Sequence, residues 1–283
     1  METIPIRKFE KSNSPEKFNI RNLKTLLAGK DLVQEIHRHD FYFILVLEKG
    51  TGEHIIDFIS YPVKDYSIFF IRPGQVHQIS LGKESTGFLM EFTAEFYGPR
   101  DKLASEMIRK VTNKNYCQVD LIRSKKIHFL LEKIFDEYFE KQERYKEVIK
   151  ANLEIFFIEL LRQSINPTGI SSIQNLYAQE RLEELQELLH TNIFLHKQVP
   201  QYAEMLHLSP FQLNKITKDT VGKTCSQMIN EQIILEAKRY LFTTNNQVNE
   251  IAYLLGYEDP SYFIRFFKKH TGFSPETFRT NFK

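Results

Sequence analysis

The 283-residue chain is predicted to be a multidomain α+β protein: an N-terminal β-barrel or sandwich carrying a helical hairpin, then an all-α domain of two tandem helix-turn-helix units. Three observations lead there. From about Ile20 to Phe96, short β-branched and aromatic runs alternate with Gly and Pro breakers, the pattern of closely spaced strands. Beyond Asp120 the apolar spacing lengthens from two residues to about 3.6, which is helical. In the last third the sequence repeats itself: a shift of fifty positions lays Pro260, Phe263, Arg265, Phe266, Lys268, Gly272 and Ser274 over Pro210, Leu213, Lys215, Ile216, Lys218, Gly222 and Thr224.

Composition sets the outer limits. An apolar content of 42% is enough for an ordinary core in each of two domains. No apolar run approaches the ~20 residues of a membrane span, so no membrane partner is expected. The opening METIPIRKFEKSNSPEKFNI lacks the apolar centre of an export signal, and a cytoplasmic location follows as an expectation. Cys117 and Cys225 have no metal or redox spacing and read as free thiols in a reducing compartment. The net charge of +2 does not by itself argue for nucleic acid. Distribution says more: from Ser171 on, twelve Lys/Arg balance twelve Asp/Glu, but Glu180, Glu183, Glu184 and Glu187 gather acid on one early helix. Lys215, Lys218, Lys223, Lys238, Arg239, Arg265, Lys268, Lys269 and Arg279 are then left around the repeat, a basic distribution that suits nucleic acid.

In chain order, residues 1–120 form the β domain. QEIHRHDFYFILVLEKGTGEHIIDF turns at Glu48–Gly52, and DYSIFFIRPGQVHQISL turns at Pro73-Gly74, which suits a small barrel or sandwich. Phe41, Tyr42, Phe43, Phe58, Tyr61, Tyr66, Phe69 and Phe70 are dense enough to wall an apolar or sugar-sized pocket, although core packing explains most of them equally well. Residues 121–165 read as a hairpin of two helices joined near Lys141–Arg144. Ile127, Leu130, Leu131, Ile134, Phe135, Tyr138 and Phe139 stripe the first; Val148, Ile149, Leu153, Phe156, Phe157, Leu160 and Leu161 stripe the second. That surface packs on the barrel or on a second subunit. Residues 166–172, within SINPTGISS, are a linker by their Pro, Gly and Ser content.

Residues 173–283 form the helical domain. AQERLEELQELLHTNI is its leading helix, with Leu182, Leu185, Leu188 and Leu189 turned inward. The first helix-turn-helix, about 199–222, turns at His207–Pro210, and the second, about 248–272, turns at Gly256. In the second unit Asp259-Pro260 is an N-cap followed by proline at the first helical position. Phe263, Phe266 and Phe267 face inward there, and Gly272 closes the helix. The segment 226–244 is a helix between the two units.

The ordered run IA, LGY, SYF, R, F-K-K, TG-F-SP and FR, within a tandem helix-turn-helix spanning Ile173 to Lys283, resembles the AraC/XylS family of bacterial transcription regulators. His37-Arg38-His39, followed by Pro73-Gly74-Gln75-Val76-His77, resembles the two motifs of the cupin barrel and the sensing domain that many such regulators carry. The family resemblance implies a sequence-specific, DNA-binding transcription regulator, named among activators, controlled by a small molecule in the N-terminal domain. It also implies double-stranded DNA, RNA polymerase and a second copy of the chain, a homodimer, as partners, with association with the nucleoid when bound. The cupin motifs leave two alternatives open, a cupin-type metalloenzyme fused to a DNA-binding domain and a ligand-independent DNA-binding protein. Cupin enzymes hold a metal with three histidines and a glutamate. Here the glutamate position falls near Phe43 or Ile44, so neither metal, cofactor nor catalysis is expected, and His37, His39, Phe41, Tyr42 and His77 become candidates for a ligand pocket. Facing DNA, the expected residues are Phe211, Gln212, Asn214, Lys215 and Lys218 on the first recognition helix. On the second they are Ser261, Tyr262, Ile264, Arg265, Lys268 and Lys269. The resemblance puts Phe211, Asn214, Lys215, Ser261, Ile264 and Arg265 nearest base edges; the remaining lysines suit phosphates.

Overall fold

The computed structural model describes residues 6–9, 17–97, 107–108, 110–112, 114–164 and 173–282; the linker expected at 166–172 lies outside them. They fall into two units, one ending at Ser164 and one starting at Ile173.

In the N-terminal unit the strands are β1 (Ile6–Arg7), β2 (Phe18–Asn22), β3 (Leu32–His39), β4 (Tyr42–Lys49), β5 (Gly52–Ile56), β6 (Ile59–Val63), β7 (Ser67–Ile71), β8 (Val76–Leu81), β9 (Thr86–Phe92) and β10 (Tyr116–Gln118), with a short helix α1 (Leu23–Leu27) after β2. They form two sheets, ordered β1-β3-β8-β5-β6 and β10-β7-β4-β9-β2. All pairings are antiparallel except β1 with β3. β4 and β7 read FILVL and SIFFI without polar alternation, because both faces of their sheet are covered. Phe43, Leu45 and Leu47 pack inward with Phe69, Ile71, Ile79 and Leu81. Ile44 and Val46 face the other way, with Ile68, Phe70 and Met90, onto two helices.

Those helices are α2 (Leu121–Glu140) and α3 (Tyr145–Ser164). Asp120 caps α2, its side chain accepting from Arg123 N, and Lys141 ends it in a left-handed conformation at φ 50°. Ile127, Leu131, Ile134, Leu153, Phe156 and Phe157 are fully buried against the sheet, each such side chain contributing roughly 1.5–3 kcal/mol of transfer free energy. The apolar stripe of α3 is therefore committed to the barrel. What α2 and α3 leave outside is a smaller set: Leu121, Ile122, Phe129, Phe139, Val148 and Ile155 are exposed, Phe139 and Val148 among them although the sequence places both on the apolar stripes.

In the C-terminal unit α4 (Ile173–Asn192) leads, followed by α5 (Val199–Met205), α6 (Pro210–Val221), α7 (Cys225–Thr243), α8 (Val248–Leu254), α9 (Pro260–Thr271) and α10 (Pro275–Phe282). Leu182, Leu185 and Leu189 of α4 enter one core with Tyr202, Leu213, Ile251, Phe263 and Phe267. The two helix-turn-helix units, α5–α6 and α8–α9, are closed by the same device: Leu208 N donates to Ala203 O at 2.8 Å and Tyr257 N to Ala252 O at 2.9 Å, the six-residue closure of a helix C-terminus. The residue it needs in left-handed conformation is His207 (φ 55°) in the first unit and Gly256 (φ 73°) in the second. Glu258 is the extra residue of the second turn, which is why the repeat shifts from 49 to 50 positions across it. The helix between the units, α7, holds a buried ion pair, Arg239 Nη1 donating to Glu236 Oε1 at 2.5 Å.

Candidate nucleic-acid interface and barrel interior

Each recognition helix starts on proline behind a side-chain cap. On α6 Ser209 Oγ accepts from Gln212 N at 3.2 Å while Gln212 Oε1 accepts from Ser209 N at 2.8 Å, the reciprocal capping box. On α9 Asp259 Oδ1 accepts from Ser261 N at 2.8 Å. This bond, first among the causes, holds the Asp259 carboxyl below its usual range, with Arg265 adding a smaller effect.

These caps sort the expected DNA-facing residues. Phe211, Lys215, Lys218, Ser261, Tyr262, Arg265, Lys268 and Lys269 are all exposed, Phe211 to 77%. Three others are turned to internal tasks. Gln212 is held in the capping box. Asn214 Nδ2 donates to Pro210 O at 3.1 Å and its Oδ1 accepts from Cys225 N at 3.0 Å, so it fastens α6 to the start of α7. Ile264, its counterpart fifty positions on, is half-buried against the core. Four of the nine basic residues around the repeat are also engaged within the fold. Arg239 is buried with Glu236, Lys223 pairs with Glu231 at 2.8 Å, and Lys238 lies over the Phe278 ring at 5.4 Å. Arg279 donates to Leu241 O at 3.2 Å and to Asn246 O at 2.6 Å. The basic surface of the two recognition helices is thus Lys215, Lys218, Arg265, Lys268 and Lys269.

In the barrel, β3, β8 and β5 lie side by side and bring four histidines together. A bulge between Gln34 and His37 shifts the strand's phase, so that His37 and His39 turn toward the side where Leu32 points before it. His39 Nε2 and His77 Nε2 are 3.1 Å apart, and His77 Nδ1 and His54 Nε2 2.9 Å apart. The chain is anchored at Phe41 O, which His39 Nδ1 meets at 2.8 Å. A carbonyl only accepts, so for neutral rings the proton positions follow in turn: Nδ1 of His39, Nε2 of His77, Nε2 of His54. His54 Nδ1 is then a bare acceptor, buried and without a hydrogen-bond partner among the described residues. His37 Nδ1 meets Glu35 O at 2.7 Å, and its ring lies 4.3 Å from that of His77.

Of the expected pocket residues, His37, His39, Phe41 and His77 come together, Phe41 stacking on His39 at 4.2 Å. Tyr42 does not belong with them: adjacent strand residues point to opposite faces, and Tyr42 stacks on Phe92 at 5.3 Å toward the helices. Tyr66 and Phe70 lie on that side as well, whereas Phe43, Phe69 and Tyr61 line the interior. His54 is not among the residues that the cupin-like motifs single out, although its strand parity with the buried Ile56 carries the signal. A metal does not fit this arrangement. Nε2 of His39 and of His77 face each other in a hydrogen bond, both nitrogens of His77 are engaged, and of the two residues at the expected carboxylate position Phe43 lies against the histidines while Ile44 points to the helices. Among the described residues no three His, Cys, Asp or Glu side chains are placed to hold a metal ion.

Burial holds these imidazoles in the neutral form, lowering His39 to about 4 and His54 to about 3, with smaller repulsion from neighbouring histidines and, for His39, from Arg7. His77 is lowered well below its usual value for the same first reason. In the unfolded chain each takes a proton near pH 6.5, so their contribution to stability is complete above that pH and is lost as pH falls toward the folded values. Thermal melts should show the N-terminal unit losing stability steadily from about pH 7 to about pH 5. A melting temperature unchanged across that range would mean that the rings titrate alike folded and unfolded.

A strand-rich domain with a buried polar chain, followed by two capped recognition helices bearing basic residues, defines a DNA-binding regulator with a ligand-binding domain. The chain belongs to the AraC/XylS family of transcription regulators. Residues 202–281 match the helix-turn-helix domain model and residues 30–153 the AraC-like ligand binding domain model. YfiF of Bacillus subtilis, an HTH-type transcriptional regulator, is 24% identical over 88% of this chain and 79% of its own. The HTH-type transcriptional activator RhaS of Escherichia fergusonii is 25% identical over 86% of each chain. These relatives are regulators and not enzymes, which decides against the metalloenzyme alternative. ToxT of Vibrio cholerae, solved with an unsaturated fatty acid bound, aligns over 93% of this chain and 94% of its own at 18% identity with a TM-score of 0.41, a likeness too distant to carry detail. No helix among the described residues is long and apolar enough to cross a membrane.

Proposed function

We propose that one protomer reads two successive major grooves with α6 and α9, and that a small organic molecule held in the N-terminal barrel alters how α2 and α3 pack, thereby tuning transcription. The observation that carries this reading is the duplication itself: two 12-residue helices, each opened by a capped proline and closed by a left-handed glycine, joined by α7, whose 19 residues span about 28 Å at ~1.5 Å each. With the width of the flanking helices added, that length suits the ~34 Å repeat of B-DNA.

Phe211, Lys215, Ser261, Tyr262 and Arg265 are assigned to base edges, with Arg265 the foremost because its planar fork suits guanine O6 and N7. Lys218, Lys268 and Lys269 are assigned to phosphates. Gln212, Asn214 and Ile264 are assigned to holding the helices in place. The exposed face of the hairpin is assigned to a second copy of the chain. RNA polymerase is the further partner expected of an activator, the role carried by the names of the RhaS relatives. The site of action is the cytoplasm, at the nucleoid when bound.

Selection of binding sites from random DNA by the full chain tests the reading: enrichment of a two-part sequence is expected, and recovery of no preferred sequence would overturn it. Lys268→Ala is expected to weaken binding to all DNA alike and to lower the slope of log affinity against log salt by about one unit. An unchanged slope would remove Lys268 from the phosphate set.

A further inference from the structure

Both helix-turn-helix units are entered through a chain segment held by a cation that donates to two backbone carbonyls, but the two clamps differ in what they join. Arg279 ties Leu241 O and Asn246 O, all around the second unit. Lys197 stands 49 residues before Asn246, at the matching place ahead of the first unit. Its Nζ donates to Phe194 O at 3.0 Å and to Gly256 O at 3.1 Å, the latter in the turn of the second unit. The ammonium also lies 5.3 Å from the centre of the Tyr257 ring, and partial burial lowers its pKa. Lys197 therefore bridges the segment leading into the first unit and the turn that aims α9.

The neighbouring backbone is fitted to this contact. A Cβ on Gly256 would meet Phe194 O at 2.1 Å and Lys197 Nζ at 2.8 Å, so the turn can approach only because the residue is glycine. The matching residue of the first unit, His207, keeps the same left-handed conformation with its side chain exposed. Beside the clamp the surface opens into a cleft of about 470 Å³, lined by Gln198, Asn230, Ile233, Tyr257 and Phe266.

We infer that Lys197 is a positioning residue which fixes the spacing between the two half-sites read by α6 and α9, by fastening the turn ahead of α9 to the segment ahead of α5. The inference rests on the two-groove reading. Without the clamp, α7 and the shared core still join the units, but the aim of α9 relative to α6 loses its outer tie. Each helix keeps its own base preferences; the number of base pairs between them is what loosens.

The test is selection from random DNA with the full chain as wild type, Lys197→Met and Lys197→Arg. Methionine keeps the apolar stem and removes the donors; arginine restores donors at similar reach. The wild type is expected to return one half-site spacing. Lys197→Met should return the same half-site sequences at two or more spacings and bind the wild-type site roughly tenfold more weakly, with an unchanged salt slope, while Lys197→Arg keeps the single spacing. Lys197→Met that returns the wild-type spacing at wild-type affinity overturns the inference. So does a uniform loss on specific and random DNA that arginine fails to restore, since that marks a merely structural role. Failure of the wild type to enrich any two-part sequence is a different result and overturns the two-groove reading itself.

Discussion

Phe157→Glu is expected to unfold the N-terminal unit. The Phe157 side chain is fully buried, its ring centre 5.3 Å from those of Tyr97 and Phe156. Removing a buried phenylalanine ring costs about 3–5 kcal/mol, and a carboxylate left in its place adds a desolvation cost of several kcal/mol or forces the group to stay protonated. Together these rival the ~5–15 kcal/mol by which a domain is stable. From the sequence alone the stripe that holds Phe157 packs either on the barrel or on a second subunit; the burial of Phe157 between α3 and the barrel takes the first course and removes it from any surface. Phe129→Glu is the contrasting variant. Phe129 is 56% exposed, with Lys133 Nζ over its ring at 4.6 Å, so the fold should survive while self-association through the outer face of α2 weakens. Circular dichroism melts and sedimentation of the full chain check both. A cooperative melt for Phe157→Glu at the wild-type temperature would contradict the packing described, and unchanged association of Phe129→Glu would remove that face as the dimer surface.

Arg265→Ala is expected to weaken specific binding by roughly 1–3 kcal/mol and to relax preference at one base position. The residue is exposed on α9, and the nearby Asp259 carboxylate feels its charge. Asp259 itself accepts from Ser261 N as the cap of the helix. Lysine at position 215 offers no such planar fork, and Lys215→Ala should cost less at its own half-site. Titration against the selected site and against variants at each position checks the assignment. Equal losses on every sequence would make Arg265 a phosphate contact.

Much of this was legible in the sequence because it depends on local signals. Pro210 and Pro260 behind Ser209 and Asp259, Gly222 and Gly272 at the ends, and the apolar spacing of Leu213, Ile216, Phe263 and Phe267 are all chain-local, and the helices form where these signals stand. The change of period at Asp120 marked α2 for the same reason. Residue tasks set by distant partners were not legible. Asn214 reads as a base contact until Cys225 N, eleven residues away, is seen to occupy its oxygen. Arg239 and Arg279 look like surface charge until Glu236 and the carbonyls of Leu241 and Asn246 are placed beside them. Gln212 is a different case, since Ser209 and Gln212 at capping-box spacing were visible. In the barrel, the bulge in β3 reverses which residues face inward, and only cross-strand pairing of His37 with His77 reveals it. The turn at Asp57 and Phe58 has two non-glycine residues at positive φ, 48° and 69°; Asp57 suits such a turn, but phenylalanine stands where glycine usually marks a tight hairpin.

The central claim is that a single protomer places two recognition helices in successive grooves of one duplex. Hydroxyl-radical footprinting of the full chain on its selected site measures this directly. Two protected patches about 10–10.5 base pairs apart on one face of the DNA, with the patch over the α9 half-site lost in Arg265→Ala, is the expected result. A single protected patch, or two whose separation is not one helical turn, would contradict it.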